Sequence, residues 1–482
     1  MPREKPVVYS GRAGIGTSPA RGIPARLDRL PWTARHLKLV VALGVGWVLD
    51  GLQVTIAGAI GPVLQYVPTL ALTPGEIGMS ASAYVAGAVA GAMLFGALAD
   101  RFGRRRIFYV TLLFCVAGMV VSALAMGLGS FIVGRVLTGT GIGGEYAAIN
   151  SAVDELMPAR LRGRINLAVN GSYWLGAALG AAASIFLLDT RWFPIDVGWR
   201  LGFAGGGILG LYVLALRRSV PESPRWLLLH GRDEEAEAIV RDFEHEAAAR
   251  QRGRPLEAPA APAPVLPARQ TIGRIGLLLG RYRRRSLLVL TLMVAQAFLF
   301  NAVFFTYGLV LSRFYGIADR ATGRYLLPFC LSNLLGPLLL GPLFDRIGRR
   351  RMLAVTYGLA GMLLAVTAGL FLGGWLSAVS QTSCWMAVFF FASTAASAAY
   401  LTASEIFPLE IRGFAIATFF ALGTLFGGVL GPALYGRLIQ NSARSGLAAG
   451  YAVAALLLLL AAVVGAWFGV DAEGRSLESI NP

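Results

Sequence analysis

The chain has 482 residues, of which 56% are hydrophobic and only 14% charged, with a mean hydropathy of +0.63. A soluble globular domain has no use for so much apolar surface, so the composition points to a chain that crosses a membrane many times. The formal net charge of +17 does not mark nucleic-acid binding, because the great majority of the 43 Lys and Arg fall in tails and loops on one side of the expected membrane, which is the positive-inside pattern.

In chain order, residues 1–36 form a polar, basic, Gly- and Pro-containing arm without the apolar core of a secretory signal. The arm is expected to be disordered, with arginines available to anionic lipid headgroups. Windows able to cross ~30 Å of hydrocarbon, about 20 residues each, then give twelve apolar runs. Six lie at 38–64, 77–99, 107–126, 130–153, 166–188 and 199–217. Six more lie at 286–312, 323–344, 351–373, 379–403, 414–437 and 446–469. Without water in the bilayer to satisfy backbone groups, each run must be a helix. The expectation is an all-α membrane protein of twelve transmembrane helices in two pseudo-symmetric six-helix bundles, at 37–217 and 286–470. Between them, 218–285 reads as a cytoplasmic linker with short helices and a Pro- and Ala-rich tether at 251–268; 471–482 is a cytoplasmic tail.

Two motifs occur twice, in the same order and at nearly the same offset. Gly96-Ala-Leu-Ala-Asp100-Arg101-Phe-Gly103-Arg104-Arg105-Arg106 is matched by Gly341-Pro-Leu-Phe-Asp345-Arg346-Ile-Gly348-Arg349-Arg350-Arg351. Glu155-Leu-Met-Pro158-Ala-Arg-Leu-Arg162-Gly163 is matched by Glu405-Ile-Phe-Pro408-Leu-Glu-Ile-Arg412-Gly413. The chain is therefore a tandem duplication. The acidic and basic groups of these stretches are expected to form two networks, Asp100, Arg104, Glu155 and Arg162 in one half and Asp345, Arg349, Glu405 and Arg412 in the other. The 60 glycines concentrate inside the helices, as in Gly139-Thr-Gly141-Ile-Gly143-Gly144 and Gly427-Gly-Val-Leu-Gly431-Pro432. Small residues let helix backbones approach closely where no hydrophobic effect drives them together.

On these residues, with Gly134-Arg135, Pro221-Glu-Ser-Pro-Arg-Trp226 and Gly474-Arg475-Ser476-Leu477-Glu478, the chain resembles the major facilitator superfamily over about residues 38–480. The resemblance is to the branch of sugar porters and synaptic-vesicle-type metabolite:proton transporters. It implies alternating access around a midplane site, with the two charged networks acting as cytoplasmic gates. It implies no cofactor, and the protein is expected to be a monomer in the inner membrane with both termini cytoplasmic.

An ionisable group at the bilayer centre costs roughly 2.5–3.5 kcal/mol even on gentle insertion scales, so the few present need a reason. Asp50 lies midway along the first run and Arg135 lies within the fourth, whereas every other arginine of the runs stands at or next to a run end. A carboxyl group at that depth can switch between protonated and charged states as its surroundings change. Members of the resembled branch use a first-helix Asp and a fourth-helix Arg in this way, making Asp50 and Arg135 the proton-coupling candidates, followed by Glu145. His36, His230 and His245 lie outside the runs, which excludes a histidine relay. Substrate-binding candidates are Gln53, Thr55, Asn170, Tyr173, Trp174, Gln296, Asn301, Tyr307, Asn333 and Tyr400.

The Gln296-to-Asn301 spacing resembles part of the sugar-porter Gln-Gln-x-Ser-Gly-x-Asn motif, yet Ala295 and Leu299 replace its first Gln and its Gly. The cavity is thus expected to be more aromatic and less polar than a hexose pocket, and the substrate to be a small polar metabolite, an organic acid or a sugar-like molecule. Proton symport is the primary expectation, with a facilitative uniporter and a non-transporting nutrient sensor as alternatives. Cys115, Cys330 and Cys384 lie in apolar runs without metal-ligand spacing. No nucleophile–base set, metal cluster or Walker loop suggests an enzyme or an ATP-driven pump.

Overall fold

The computed structural model describes residues 23–250, 276–407 and 409–470. The expected tether at 251–268 and the tail at 471–482 lie outside the described residues. Twelve long helices occupy the expected runs. The first six are α1 (Ala34–Ile60), α2 (Pro74–Phe102), α3 (Arg104–Ala123), α4 (Leu128–Leu156), α5 (Ala159–Leu187) and α6 (Ile195–Leu216). The second six are α7 (Arg283–Tyr315), α8 (Thr322–Ile347), α9 (Arg349–Leu372), α10 (Ala378–Ile406), α11 and α12 (Arg444–Phe468). Helix α11 runs through three continuous stretches, Leu409–Gly423, a π-helical Thr424–Val429 and Leu430–Gln440. Its wide turn lies just before Pro432, whose missing N–H cannot complete a regular α-helical ladder.

Local chemistry sets the helix ends. Thr73 caps α2 by accepting from the Glu76 backbone N–H, with Glu76 reaching back and Pro74 opening the first turn. The two copies of the basic turn share one backbone solution. Gly103 has φ 89° and ψ 152°, and Gly348 has φ 106° and ψ 144°. A conformation open essentially only to glycine thus breaks the chain in a single residue between α2 and α3 and between α8 and α9.

Inside the first half, glycines put helix on helix. A Cβ at Gly51 would lie 1.9 Å from the Tyr173 carbonyl oxygen, and one at Gly176 2.0 Å from that of Val48, so α1 and α5 touch backbone to backbone. The run from Gly139 to Gly144 faces two neighbours at once. Gly139 and Gly143 press on Tyr84 and Ala88 of α2, while Gly141 presses on Thr111 and Cys115 of α3.

The halves meet most closely at the ends opposite the basic turns. Gly58 of α1 lies against the Phe304 carbonyl of α7, Gly78 of α2 against that of Pro432 in α11, and Gly323 of α8 against that of Ala181 in α5. Ser82 Oγ donates to the Val429 carbonyl at 2.6 Å and accepts from the Ala433 N–H at 3.0 Å. This face is sealed by backbone contact.

At the basic face the first half carries an added layer. The arm, expected to be disordered to residue 36, is helical over Ile23–Asp28 and docks on the linker helix Asp233–Arg250. Arg26 pairs with Glu237 at 2.7 Å and Glu244 at 2.6 Å, and Arg29 with Glu244 at 2.8 Å. Arg26 above all, with Arg29, holds the Glu244 carboxyl below its usual range. Buried Ile23, Leu27, Leu30, Val240 and Phe243 join a cluster with Leu39, Ile149 and Val153. The arm is ordered because the linker helix offers it carboxylates and an apolar stripe, a partner invisible when the arm is read alone. The linker layer therefore travels with the first half.

The turn glycines give a direct check. Gly103→Ala and Gly348→Ala are each expected to cost about 1–3 kcal/mol, read as a fall in Tm of the purified protein. Gly103→Ala also drives a methyl to within 2.4 Å of the Glu222 carboxylate.

Candidate functional site

Burying a charge in a helical bundle is costly unless a partner comes with it. Most of the buried charged side chains here meet that condition. Glu145 of α4 pairs with Arg217 at the end of α6; both are buried, and the Arg217 guanidinium lies 4.6 Å from the Phe108 ring centroid. Arg349 pairs with Glu405 at 3.1 Å, and Asp189 pairs with Arg191 at 2.5 Å. Asp50 and Arg135 are the exceptions: among the described residues, no ion pair within 4.0 Å reaches either.

What joins them is Tyr84 of α2. Its hydroxyl donates to Asp50 Oδ1 at 2.5 Å, and the Arg135 guanidinium lies 4.4 Å from its ring centroid. Phe203 and Phe305, at 5.8 and 5.9 Å, complete an aromatic cage whose ring faces attract the cation. Nη1 and Nη2 of Arg135 have no hydrogen-bond partner among the described residues. Tyr84 also packs edge-on against Phe305 of α7, with centroids 5.7 Å apart, so one phenol touches the carboxylate, the cation and the opposite half.

Asp50 opens on its other side into a narrow cleft lined by Gly46, Trp47, Ile142, Glu145, Tyr146 and Ile149. Tyr146 stacks on Phe420 of α11 at 4.5 Å and lies 6.4 Å from Tyr400 of α10, crossing between the halves. Trp174 leans on Phe300 and Phe304 of α7, at 5.8 and 6.0 Å, and contacts Tyr173 at 5.0 Å. The midplane between the halves is thus walled by aromatic faces.

The remaining polar candidates spread out. Tyr400 reaches this cleft and engages Gln296 and Tyr146. Asn170 is half-buried on α5, three residues before Tyr173. Gln53 is fully buried against Gly206 of α6, and Thr55 is buried beside Cys330. Asn301 and Asn333 turn their amides to carbonyls of their own helices, at Ala297 and Phe329. Tyr307 is buried inside the second half, donating toward Tyr325 O and Thr382 Oγ1 at 3.2 and 3.0 Å.

Of the residues expected to form the two gate networks, Arg349 and Glu405 are paired. The side chains of Asp100, Glu155, Arg162, Asp345 and Arg412 lie outside the described residues. Beside Arg104 stands a group that the sequence reading missed. Glu222 accepts from the backbone N–H of Arg104 at 2.9 Å and of Arg105 at 3.2 Å, placing an anion on the N-terminus of α3. It belongs to Pro221-Glu-Ser-Pro-Arg-Trp226, a stretch singled out only for its resemblance. Tyr84 and Arg217 were missed as well. Tyr84 carried no signal beyond being a hydroxyl in an apolar run, whereas Arg217 closes the sixth run and reads as an interfacial cation.

With this geometry in view, the model of the family described as sugar (and other) transporter matches residues 62–482. The chain belongs to that family. Within the sugar transporter family, the niacin transporter NiaP of Acinetobacter baylyi is 30% identical over 458 residues, covering 95% of this chain and 99% of its own length. The arabinose-proton symporter of Bacillus subtilis is 25% identical, covering 84% of this chain and 88% of its own. The xylose transporter XylE from Escherichia coli, in a partially occluded inward open conformation, shares the fold with a TM-score of 0.72 at 20% identity, covering 92% of this chain and 100% of its own. The protein is a multi-pass membrane transporter of the major facilitator superfamily and not an enzyme.

The ion pair at Glu145 is testable apart from transport. Glu145→Gln leaves the Arg217 cation buried without its counter-charge and is expected to destabilise the protein by about 3–5 kcal/mol. Thermal unfolding in detergent measures this, and replacing both members, Glu145→Leu with Arg217→Met, is expected to recover most of the loss.

Proposed function

We propose that this transporter carries a small, flat organic acid together with a proton, and that Asp50 is the proton's seat. The observation that carries the reading is the asymmetry among buried charges. Glu145, Asp189, Arg217 and Arg349 are ion-paired, whereas Asp50 and Arg135 make no ion pair among the described residues and are bridged by Tyr84. A carboxyl group bound by one hydroxyl and open to a cleft can gain or lose its proton without breaking a salt bridge.

Its charge state acts on the rest of the molecule through the groups it touches. Ionised, Asp50 holds the Tyr84 hydroxyl and attracts Arg135 across the ring. Protonated, it loses that attraction, and Tyr84 is freer against Phe305 at the junction of the halves. A change of one charge thereby biases whether the seam between α2 and α7 stays closed. The gate side chains at the basic turns, Arg349 with Glu405 among them, supply the opposing latch. Individually such pairs contribute little, but a pair formed in one state and broken in the other adds to the bias.

The substrate class is argued from the seam between the halves. There Trp174 meets Phe300 and Phe304, and Tyr146 meets Phe420 and Tyr400, while Asn301 and Asn333 turn their amides to their own helices and Gln53 is buried against Gly206. A polyhydroxylated sugar needs many hydrogen-bonding groups; a planar acid needs stacking surfaces and one cation. The similarity to NiaP, a niacin transporter, supports the acid, and that to the arabinose-proton symporter supports the proton. The charge asymmetry of the loops supports an orientation with both termini cytoplasmic, and the transporter is read as a monomer of the inner membrane.

Uptake of labelled nicotinate, benzoate and xylose into proteoliposomes, with and without an imposed pH gradient, tests the proposal. The expected outcome is gradient-driven accumulation of an aromatic acid but not xylose. Asp50→Asn is expected to abolish accumulation while sparing exchange of the same acid across equal pH. Accumulation that persists in Asp50→Asn would sink the role given to the carboxyl group, and wild-type uptake of xylose alone would sink the substrate class.

A further inference from the structure

A second polar site lies away from the cleft, at the sealed face. A cavity of about 210 Å³ is lined by Ile185, Asp189 and Arg191 from the end of α5 and its loop, and by Arg320, Ala321 and Arg324 from the start of α8. Each half supplies one wall. Asp189 is engaged by Arg191, which chelates it through Nε and Nη2 and donates its backbone N–H at 3.1 Å. Those bonds, with a smaller contribution from Arg320, hold the Asp189 carboxyl down to about 2, so it stays ionised at any working pH. Arg320 and Arg324 make no hydrogen bond or ion pair with the described residues. Three guanidinium groups and one carboxylate therefore face one small space, with two cations left over.

That surplus is a cost of closing this face. When the halves part here, Arg191 separates from Arg320 and Arg324; when they seal, like charges are brought together. The seal itself is unforgiving, since a Cβ at Gly323 would lie 2.4 Å from Ser184 Oγ. The cavity also sits over the N-terminus of the 26-residue α8, whose partial positive charge adds to the same field. Exposed Phe186 and Trp192 lie within three residues of Asp189 in the chain, and such aromatic side chains suit the headgroup region of a bilayer.

We propose that this cavity is an oxyanion site, assembled only when the two halves are closed at this face, and that a phosphate group bound there holds the transporter in that state. Arg320 and Arg324 contribute free forks suited to bidentate recognition, while Arg191, already committed to Asp189, sets the wall opposite. The phosphate can come from water as the free ion or from the headgroup of an anionic lipid. In either case the site couples surrounding anions to the conformational equilibrium without touching Asp50. It lies outside the proposed transport cleft, and its action does not depend on what is carried.

The test uses the full chain in phosphatidylcholine nanodiscs, where both faces are accessible. One arm adds inorganic phosphate at ionic strength matched with sodium chloride; the other replaces part of the lipid with phosphatidylglycerol. Tm and the maleimide-labelling rate of Ser184→Cys, in a Cys384→Ser background, are measured in each. At a ligand concentration about three times its Kd, linkage is expected to slow labelling about fourfold and to raise Tm. Arg320→Gln with Arg324→Gln is expected to fold, since both positions are exposed, and to lose both responses. A response in the phosphate arm alone identifies the free ion as the ligand, and one in the phosphatidylglycerol arm alone identifies the headgroup. Absence of any Tm response in both arms, or an undiminished response in the double variant, overturns the proposal.

Discussion

The cost of a lone charge inside a bilayer orders this structure. Where a charge is needed for architecture, the fold supplies its partner on an adjoining helix, as Arg217 meets Glu145 and Glu405 meets Arg349. Such pairs are fixed, and breaking one strands a buried ion. The contact of Asp50 with Tyr84 is of another kind. A single hydroxyl bond and a cation beyond a ring leave the carboxyl group free to change state, and the same ring reaches the opposite half at Phe305. Architecture and mechanism are thus separated by how completely each charge is answered.

The second constraint comes from the proposed transport cycle, in which two helical bodies seal against each other and come apart again. In lipid, apolar side chains gain little by leaving one neighbour for another, so a seam closed by glycine-backbone contact at Gly58, Gly78 and Gly323 can open without a large hydrophobic penalty. The duplicated turns give each body a matching one-residue break at Gly103 and Gly348. The arm and linker helices, by contrast, are locked onto the first body by Arg26, Arg29 and a buried apolar stripe. They extend one half and leave the seam alone.

Much of the fold was legible because membrane helices are written in long, simple signals: twelve apolar runs, basic loops on one side and a twice-repeated turn. The linker helix was visible in its periodicity. The order of the arm was not, because its partner stands about two hundred positions away. At the site, Asp50 and Arg135 stood out as charges where none is expected, but their relation did not, since no pattern of spacing announces that Tyr84 will reach from α2 to touch both. Arg217 was hidden by position, because a cation closing an apolar run usually lies at the water interface. Gln53, Asn301 and Asn333 were selected by residue type, and type does not reveal that the two asparagine amides will turn to their own helices or that Gln53 will be buried against Gly206. The aromatic lining was inferred only indirectly, from the missing Gln and Gly near Gln296.

In the proposed mechanism substrate and proton cross together, with Asp50 carrying the proton. The most direct measurement is the pH of a weakly buffered medium when substrate is added to de-energised proteoliposomes. Wild-type protein is expected to make the medium more alkaline as the acid's anion enters, and Asp50→Asn to give no such change. Anion entry through the wild-type protein with no movement of protons would contradict it.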